Sequence, residues 1–304
     1  MTGITIGITT RDRPAALRRC LDSITGFVAA GADVIVFDDH SGVPVAQQLE
    51  GRLAASVRVI RDDRDIGYIA ARNTIVTQAR HELVLLLDDD AVLFDERAVE
   101  RAVAVLEADR AVAAVAFAQA EADGRPWPRS MQPGQGTGAT RVASYIGFAH
   151  LIRRSVFVNL GGYRADFVFY GEEKEYCLRL MEAGYLVVYL PDALVGHVID
   201  KGGRDQRRYV RFVIRNDCLM SLYNEPWPLV AVGVPLRLLR FRQMASTIPG
   251  GDAEGMRWIL GELRRALPGL RGQRRPVSWH TIREWRRLSR TVVPYRPAPQ
   301  SPTR

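Results

Sequence analysis

Apolar runs and helical patterns alternate from the start of the chain. Ile4–Thr9 is a short β-branched run and predicts a buried strand. Pro14 then opens a pattern with Leu17, Leu21, Ile24 and Val28 on one face, which predicts a helix to about Val28. Strands are expected at Val34–Phe37, Val57–Ile60, Leu83–Leu87 and Val112–Phe117, and helices at Val45–Leu53, Tyr68–Ala79 and Arg97–Ala108. Strands taking turns with helices imply a mostly parallel sheet flanked by helices.

Between Glu121 and Gly138, prolines and glycines predict a mobile loop. Strand-like and helical pieces follow to Tyr163. A helix with an acidic first turn is expected over Glu172–Ala183 and a strand at Leu186–Leu190. After Gly203 the pattern is helical to about Arg290, broken by Pro226, Pro228, Pro235, Pro249, Pro268 and Pro276. The organisation read from this is an α/β domain over 1–220, a basic helical extension over 221–293 and a disordered tail over 294–304.

Composition narrows the class. A chain of 304 residues that is 47% hydrophobic fits one α/β domain with an appendage. The apolar run Leu229–Leu236 is far short of the roughly 20 residues of a spanning helix, and the arginines near Ile4–Thr10 follow the apolar run, unlike a signal peptide. The expectation is a cytoplasmic protein, soluble or peripheral on the inner face of the cell membrane. Cys20, Cys177 and Cys218 are far apart, lack a Cys-x-x-Cys pair, and read as reduced core thiols. Residues 1–200 carry 21 basic and 27 acidic side chains, whereas 201–304 carry 21 basic and 7 acidic. Such a basic end suits nucleic acid, anionic lipid or an acidic substrate.

Acidic clusters carry the candidate chemistry. In an open parallel sheet, ligands bind outside the carboxyl ends of the strands. Asp38-Asp39 and Asp88-Asp89-Asp90 fall at two such ends. Adjacent carboxylates repel unless a cation screens them, and hard ions such as Mg²⁺ or Mn²⁺ favour oxygen ligands and bridge to phosphates. Gly67 suits a tight turn near a ligand, and Arg72 is read either as a phosphate contact or as the partner of an aspartate. Glu172 and Glu173 head a helix, where one carboxylate can serve as general base toward a hydroxyl. A lone histidine such as His197 is more often a packed residue than a ligand.

In order along the chain stand Ile-Thr-Thr-Arg-Asp-Arg (8–13), Phe-Asp-Asp-His-Ser (37–41), Asp-Ile-Gly-Tyr-Ile-Ala-Ala-Arg-Asn (65–73) and Leu-Leu-Asp-Asp-Asp (86–90). Gly-Gly-Tyr (161–163), Tyr-Gly-Glu-Glu-Lys-Glu-Tyr-Cys-Leu-Arg-Leu (170–180), Gly-Tyr (184–185), Pro-Asp-Ala-Leu-Val-Gly-His (191–197) and Arg-Asn (215–216) follow. This series, over about residues 4–220, resembles the family 2 inverting glycosyltransferases of the GT-A fold. The resemblance implies transfer of a sugar from a nucleotide-sugar donor, a UDP- or dTDP-sugar first among them, to a glycan, lipid-linked or small-molecule acceptor. It places Thr9 and Arg11 against the nucleotide base, Asp39 on the base with Asp38 beside it, and Arg72 near the phosphates or the acidic clusters. Asp88 and Asp90 match the two acids of the Asp-x-Asp motif, Asp88 toward the ribose and Asp90 toward a divalent metal, Mg²⁺ or Mn²⁺; Asp89 can replace either. His197 matches an additional metal ligand. Glu173 holds the base position, where the family has Glu-Asp and this chain has Glu-Glu, so Glu172 is the alternative base. The loop 121–138 is expected to close over the donor.

Two other readings compete. A sugar-phosphate nucleotidyltransferase shares the acidic motif, but its glycine-rich first loop is absent from Thr9–Pro14. A nucleic-acid-binding protein fits the basic end but not the acidic first two-thirds, so no nucleic-acid partner is expected. The tryptophan- and arginine-bearing C-terminal helices are read either as a membrane-surface contact or as helices packed on the catalytic domain.

Overall fold

The structure is a computed structural model that describes residues 3–199 and 205–297. The elements run β1 (Ile4–Thr10), α1 (Pro14–Ser23), α2 (Thr25–Ala29), β2 (Asp33–Asp39), α3 (Gly51–Ser56), β3 (Val57–Asp62), α4 (Gly67–Gln78), β4 (Leu83–Asp88) and β5 (Ala91–Leu93). Next come α5 (Arg97–Ala108), β6 (Val112–Ala120), β7 (Thr140–Arg141), β8 (Ala149–Arg153), α6 (Arg154–Asn159), α7 (Glu172–Glu182) and β9 (Leu186–His197). The chain then turns helical through α8 (Gln206–Asn224), α9 (Trp227–Ser246), α10 (Gly255–Gln273) and α11 (Trp279–Leu288), before the short β10 (Val293–Pro294).

One sheet has the order β10-β7-β9-β6-β8-β4-β1-β2-β3, with β5 added on β9. β3, β2, β1 and β4 are parallel neighbours, as the alternation of strands and helices predicts. Each apolar strand feeds two cores because successive side chains point to opposite faces. On β4, Leu83, Leu85 and Leu87 join Leu21 and Val99 on one face, while Val84 and Leu86 join Ile75 and Tyr176 on the other.

Several elements depart from expectation for local reasons. The helix expected to reach Val28 breaks at Ile24, whose side chain is fully buried. The helix expected over Val45–Leu53 is a 3₁₀ turn at Val45–Gln47 followed by α3, because the Val45 amide is held by Asp38 Oδ2 at 3.0 Å. β8 is an antiparallel strand inserted between β4 and β6, which alternation alone does not reveal. β9 runs past Pro191, where its register against β6 jumps from Leu190 to Leu194; such a bulge absorbs a proline that cannot donate to the ladder. Pro235 and Pro268 lie inside α9 and α10 instead of ending them.

The helical part has no separate core. Cys218 and Tyr223 of α8, Phe241 of α9, Ile259 of α10 and Ile282 of α11 pack in the cluster that holds Tyr176 and Leu86. α8 itself runs through the expected boundary at 220/221. Structure also continues past 293: β10 pairs with β7, and the Tyr295 amide donates to Ala139 O at 2.9 Å, while residues 298–304 of the expected tail lie outside the described residues. The cysteines are buried and unpaired, as expected of core thiols. Among the described residues no helix is long and apolar enough to cross a membrane.

Candidate active site

Sheet register assembles the site. Thr9 lies opposite both Phe37 and Asp88, and Thr10 opposite Asp38, so the acidic ends of β2 and β4 flank the end of β1. At β2, Asp38 is fully buried and accepts from the Ser41 amide at 2.9 Å, the Val45 amide at 3.0 Å and Arg61 Nη1 at 2.6 Å. Burial opposes its charge, but these donors hold its pKa below the usual carboxylate value. Asp38 therefore clamps the loop after β2 with both its oxygens engaged. Asp39 accepts from the amides of Ile66 at 3.0 Å and Gly67 at 3.1 Å, and burial raises its pKa despite them. Gly67 has φ +78°, a conformation natural to glycine, which turns its N–H toward Asp39 at the start of α4. Arg11 stays half-exposed and pairs with Asp65 on the rim.

Arg72 resolves the two readings the sequence left for it. Its side chain is 2% exposed and lies among acids rather than at an open face. Nη2 donates to Asp88 Oδ1 at 2.5 Å and to Gly147 O at 2.9 Å; Nη1 donates to Glu172 Oε1 at 2.9 Å and lies 3.8 Å from Glu173 Oε1. One guanidinium thus ties the acidic run after β4 to the glutamates that open α7. Gly147 permits the approach, since a Cβ there would collide with Glu173 Oε1 and Arg72 Nη1. Tyr68 adds its hydroxyl to Glu172 Oε2 at 3.3 Å, and its ring lies under the Arg72 guanidinium at 4.7 Å.

The two glutamates differ in access. Glu172 is fully buried, whereas the Glu173 side chain keeps 17% of its surface. Burial raises both above the usual glutamate value, with the charge of Glu173 adding to it at Glu172 and that of Asp88 at Glu173, while Arg72 pulls the other way. The turn before α7 is strained: Val168 and Tyr170 have φ of 61° and 66°. Asn216 of α8 pins it by donating to the carbonyls of Phe167 at 2.9 Å, Phe169 at 2.8 Å and Tyr170 at 2.6 Å. Beside it, Arg215 Nη1 donates to Asp166 O at 2.7 Å.

Asp89 and Asp90 share Arg13. The guanidinium bonds Asp89, and its Nη2 reaches Asp90 Oδ2 at 2.9 Å. Thr10 donates to Asp89 Oδ2 at 2.7 Å, yet burial pushes the Asp89 pKa up to about 7. Asp90 Oδ1 is buried and has no hydrogen-bond partner; it lies 3.7 Å from His197 Nε2. The pairing of β5 with β9 sets Ala91 opposite His197 and so brings the two together.

The protonation of His197 follows from its neighbour. Gln119 Nε2 donates to Met131 O, a carbonyl that can only accept, so Gln119 Oε1 is the atom 2.7 Å from His197 Nδ1. Nδ1 therefore donates to Gln119, and Nε2 lies on the side of Asp90. The ring is clamped between Phe148, with centroids 4.6 Å apart, and Trp127, 5.3 Å away. Imidazole with carboxylate is a donor set for a divalent metal. Among the described residues no group of three or more His, Cys, Asp or Glu side chains is arranged to hold a metal ion.

Sequence reading missed Thr10, Arg13, Tyr68, Gln119, Trp127, Phe148 and Gly147. Gln119 precedes the 121–138 loop and Trp127 lies within it; Gln132 Nε2 fastens the loop by donating to Gln119 O at 2.8 Å and to Trp127 O at 3.1 Å. A separate cavity of about 400 Å³, lined by residues such as Gln135, Arg141, Lys174 and Trp285, contains none of the candidate site residues.

Comparison with known proteins bears on this geometry. Residues 5–161 match the family model described as Glycosyl transferase family 2. A pre-mycofactocin glycosyltransferase of Mycobacterium tuberculosis is 27% identical over 210 residues, covering 64% of this chain and 42% of that protein. An uncharacterized protein y4gI of Sinorhizobium fredii is 38% identical over 92 residues, 29% of this chain and 10% of the other. The chain thus spans less than half the length of the curated relatives it matches. Among solved structures, the mannosyltransferase PcManGT of Pyrobaculum calidifontis in complex with GDP-Man and Mn²⁺ superposes with a TM-score of 0.59 at 17% identity, covering 93% and 84% of the two chains. S. aureus TarS 1–349 in complex with UDP-GlcNAc does so with a TM-score of 0.62 at 16% identity, covering 90% and 84%. The fold is GT-A.

Proposed function

The chain belongs to glycosyl transferase family 2, and from that premise we propose that it moves a sugar from a nucleoside-diphosphate donor to an acceptor hydroxyl with inversion. The observation that carries this reading is Arg72, which joins Asp88 to the Glu172–Glu173 pair and makes the acidic clusters one site. Glu173, the more accessible of the pair, takes the acceptor proton as its oxygen attacks the anomeric carbon. Glu172, saturated by Arg72 and Tyr68, positions that carboxylate through the shared guanidinium.

On the donor side, Thr9, Arg11 and Asp39 line the nucleotide, Asp88 faces the ribose, and Asp38 and Gly67 support the loops behind them. Asp90 and His197 would hold a divalent cation, which would neutralise charge on the diphosphate. The neighbours' complexes with GDP-Man and Mn²⁺ and with UDP-GlcNAc support both a nucleotide-sugar donor and a divalent metal. A single displacement leaves no covalent sugar–enzyme intermediate and needs no nucleophile from the chain.

The test is donor hydrolysis followed by NMR, with Mn²⁺ and a panel of UDP-, dTDP- and GDP-sugars. The expected result is that one donor releases its sugar first as the opposite anomer, and that Glu173→Gln abolishes the release. Release with the original anomeric configuration would overturn the inverting mechanism.

A further inference from the structure

The C-terminal helices use one face for the core and leave another outward. Val230, Phe241 and Ala245 of α9 are buried, as are Ile259 and Leu263 of α10. This packing accounts for their inner faces alone. Outside, Trp227, Val232, Leu236 and Leu239 of α9, with Leu260 and Leu267 of α10, are between 48% and 61% exposed.

The outer faces are ordered. On α9 the exposed positions from Trp227 to Leu239 carry no charge, because Arg237 folds back to Glu225 at 3.0 Å; the exposed arginines Arg240 and Arg242 come only afterwards. On α10 the exposed residues Arg257, Leu260, Arg264, Leu267 and Arg271 recur at spacings that keep them on one helical stripe. Its acid Glu262 is turned away from solvent and paired with Arg215 and Arg265.

We propose that the outer faces of α9 and α10 dock this protein on an anionic bilayer surface. Leucines, valine and tryptophan enter the boundary between headgroups and acyl chains, and the exposed arginines pair with lipid phosphates. Charge complementarity selects this occupant: residues 201–304 hold 21 basic against 7 acidic side chains. A second copy meeting this face by two-fold symmetry would set one arginine row against another. The proposal does not rest on the donor-site reading, so either can fail without the other.

The experiment is co-sedimentation of the full chain with vesicles of equimolar phosphatidylcholine and phosphatidylglycerol, against phosphatidylcholine alone. Pelleting with the anionic vesicles is expected, weakened by salt. The Leu236→Ser/Leu239→Ser pair should lower partitioning at least tenfold at unchanged melting temperature. Each of Arg257→Gln, Arg264→Gln and Arg271→Gln should cost about fivefold on anionic vesicles. Equal sedimentation with and without phosphatidylglycerol would overturn the proposal. So would a dimer in solution that the leucine substitutions dissociate, or binding to an oligonucleotide in place of vesicles.

Discussion

At the scale of single residues, the site turns on how its carboxylates and its histidine are held. Asp90 Oδ1 lies 3.7 Å from His197 Nε2, and Gln119 orients the ring through Nδ1. Outer partners of this kind are worth about 10- to 100-fold in metal affinity. Gln119→Leu is expected to raise the Mn²⁺ concentration needed for half-maximal donor turnover by that factor. Gln119→Glu, which keeps an acceptor toward Nδ1, should lose less. Glu173→Gln is expected to cut transfer about 10²- to 10⁴-fold while leaving the diphosphate affinity within a few-fold. A base with a raised pKa is ionised only above the ordinary carboxylate range, so kcat/KM should fall as pH drops through that raised value. A pH–rate profile whose acid limb lies at the ordinary glutamate value would contradict the assignment. The aspartates and glutamates were legible in the sequence because each stands at the end of an apolar strand or the head of a helix. Gln119, Trp127 and Phe148 were not, because Gln119 reaches His197 through the pairing of β6 with β9, Trp127 through a loop, and Phe148 from the entry to β8, which no periodicity announces.

At the scale of elements, α7 and α8 hold the glutamate pair in place. Glu175, fully buried one turn into α7, takes Arg164 Nε at 2.8 Å, Arg179 Nη2 at 2.7 Å and Asn224 Nδ2 at 2.9 Å. Glu175→Ala leaves two arginines partly buried without their anion, and a loss of about 3–5 kcal/mol in unfolding free energy is expected by denaturant titration. Burial opposes the Glu175 charge, but Arg179 and Arg164 outweigh it and lower the pKa. Its stabilisation is therefore complete above the unfolded pKa, near 4.3, and is lost as pH falls below it toward the folded value. The Glu175→Ala protein should show a correspondingly shallower acid transition. Asn216→Ala frees the strained 167–170 turn, so kcat should fall more than tenfold with the donor KM nearly unchanged, an effect steady-state kinetics will resolve. Helices α5 and α7 were readable to within a residue or so because α5 has a strong apolar face and α7 a clear acidic start. The interior prolines of α9 and α10 were read as breaks, whereas tertiary packing of Phe241, Ile259 and Leu263 keeps those helices continuous.

At the scale of the whole molecule, one sheet feeds two cores, and the C-terminal helices complete one of them instead of forming a domain. The acidic and basic parts of the chain are thus rigidly joined, with the carboxylates at the strand ends and the arginines on the outer helices. The succession of strands and helices gave the parallel half of the sheet; the antiparallel β8 and the far end of β9 depend on pairings distant in sequence and could not be seen locally. The central claim is that the strand ends form a metal-assisted nucleoside-diphosphate site. It is tested most directly by the melting temperature of the purified chain with Mn²⁺, with UDP, dTDP or GDP, and with each pair. A ligand that binds only the folded state raises that temperature in proportion to its affinity and concentration. The account predicts a rise with one diphosphate that needs Mn²⁺ and disappears in a double Asp90→Asn/His197→Ala variant. No rise with any pair at saturating concentrations, or an equal rise in that variant, would contradict it.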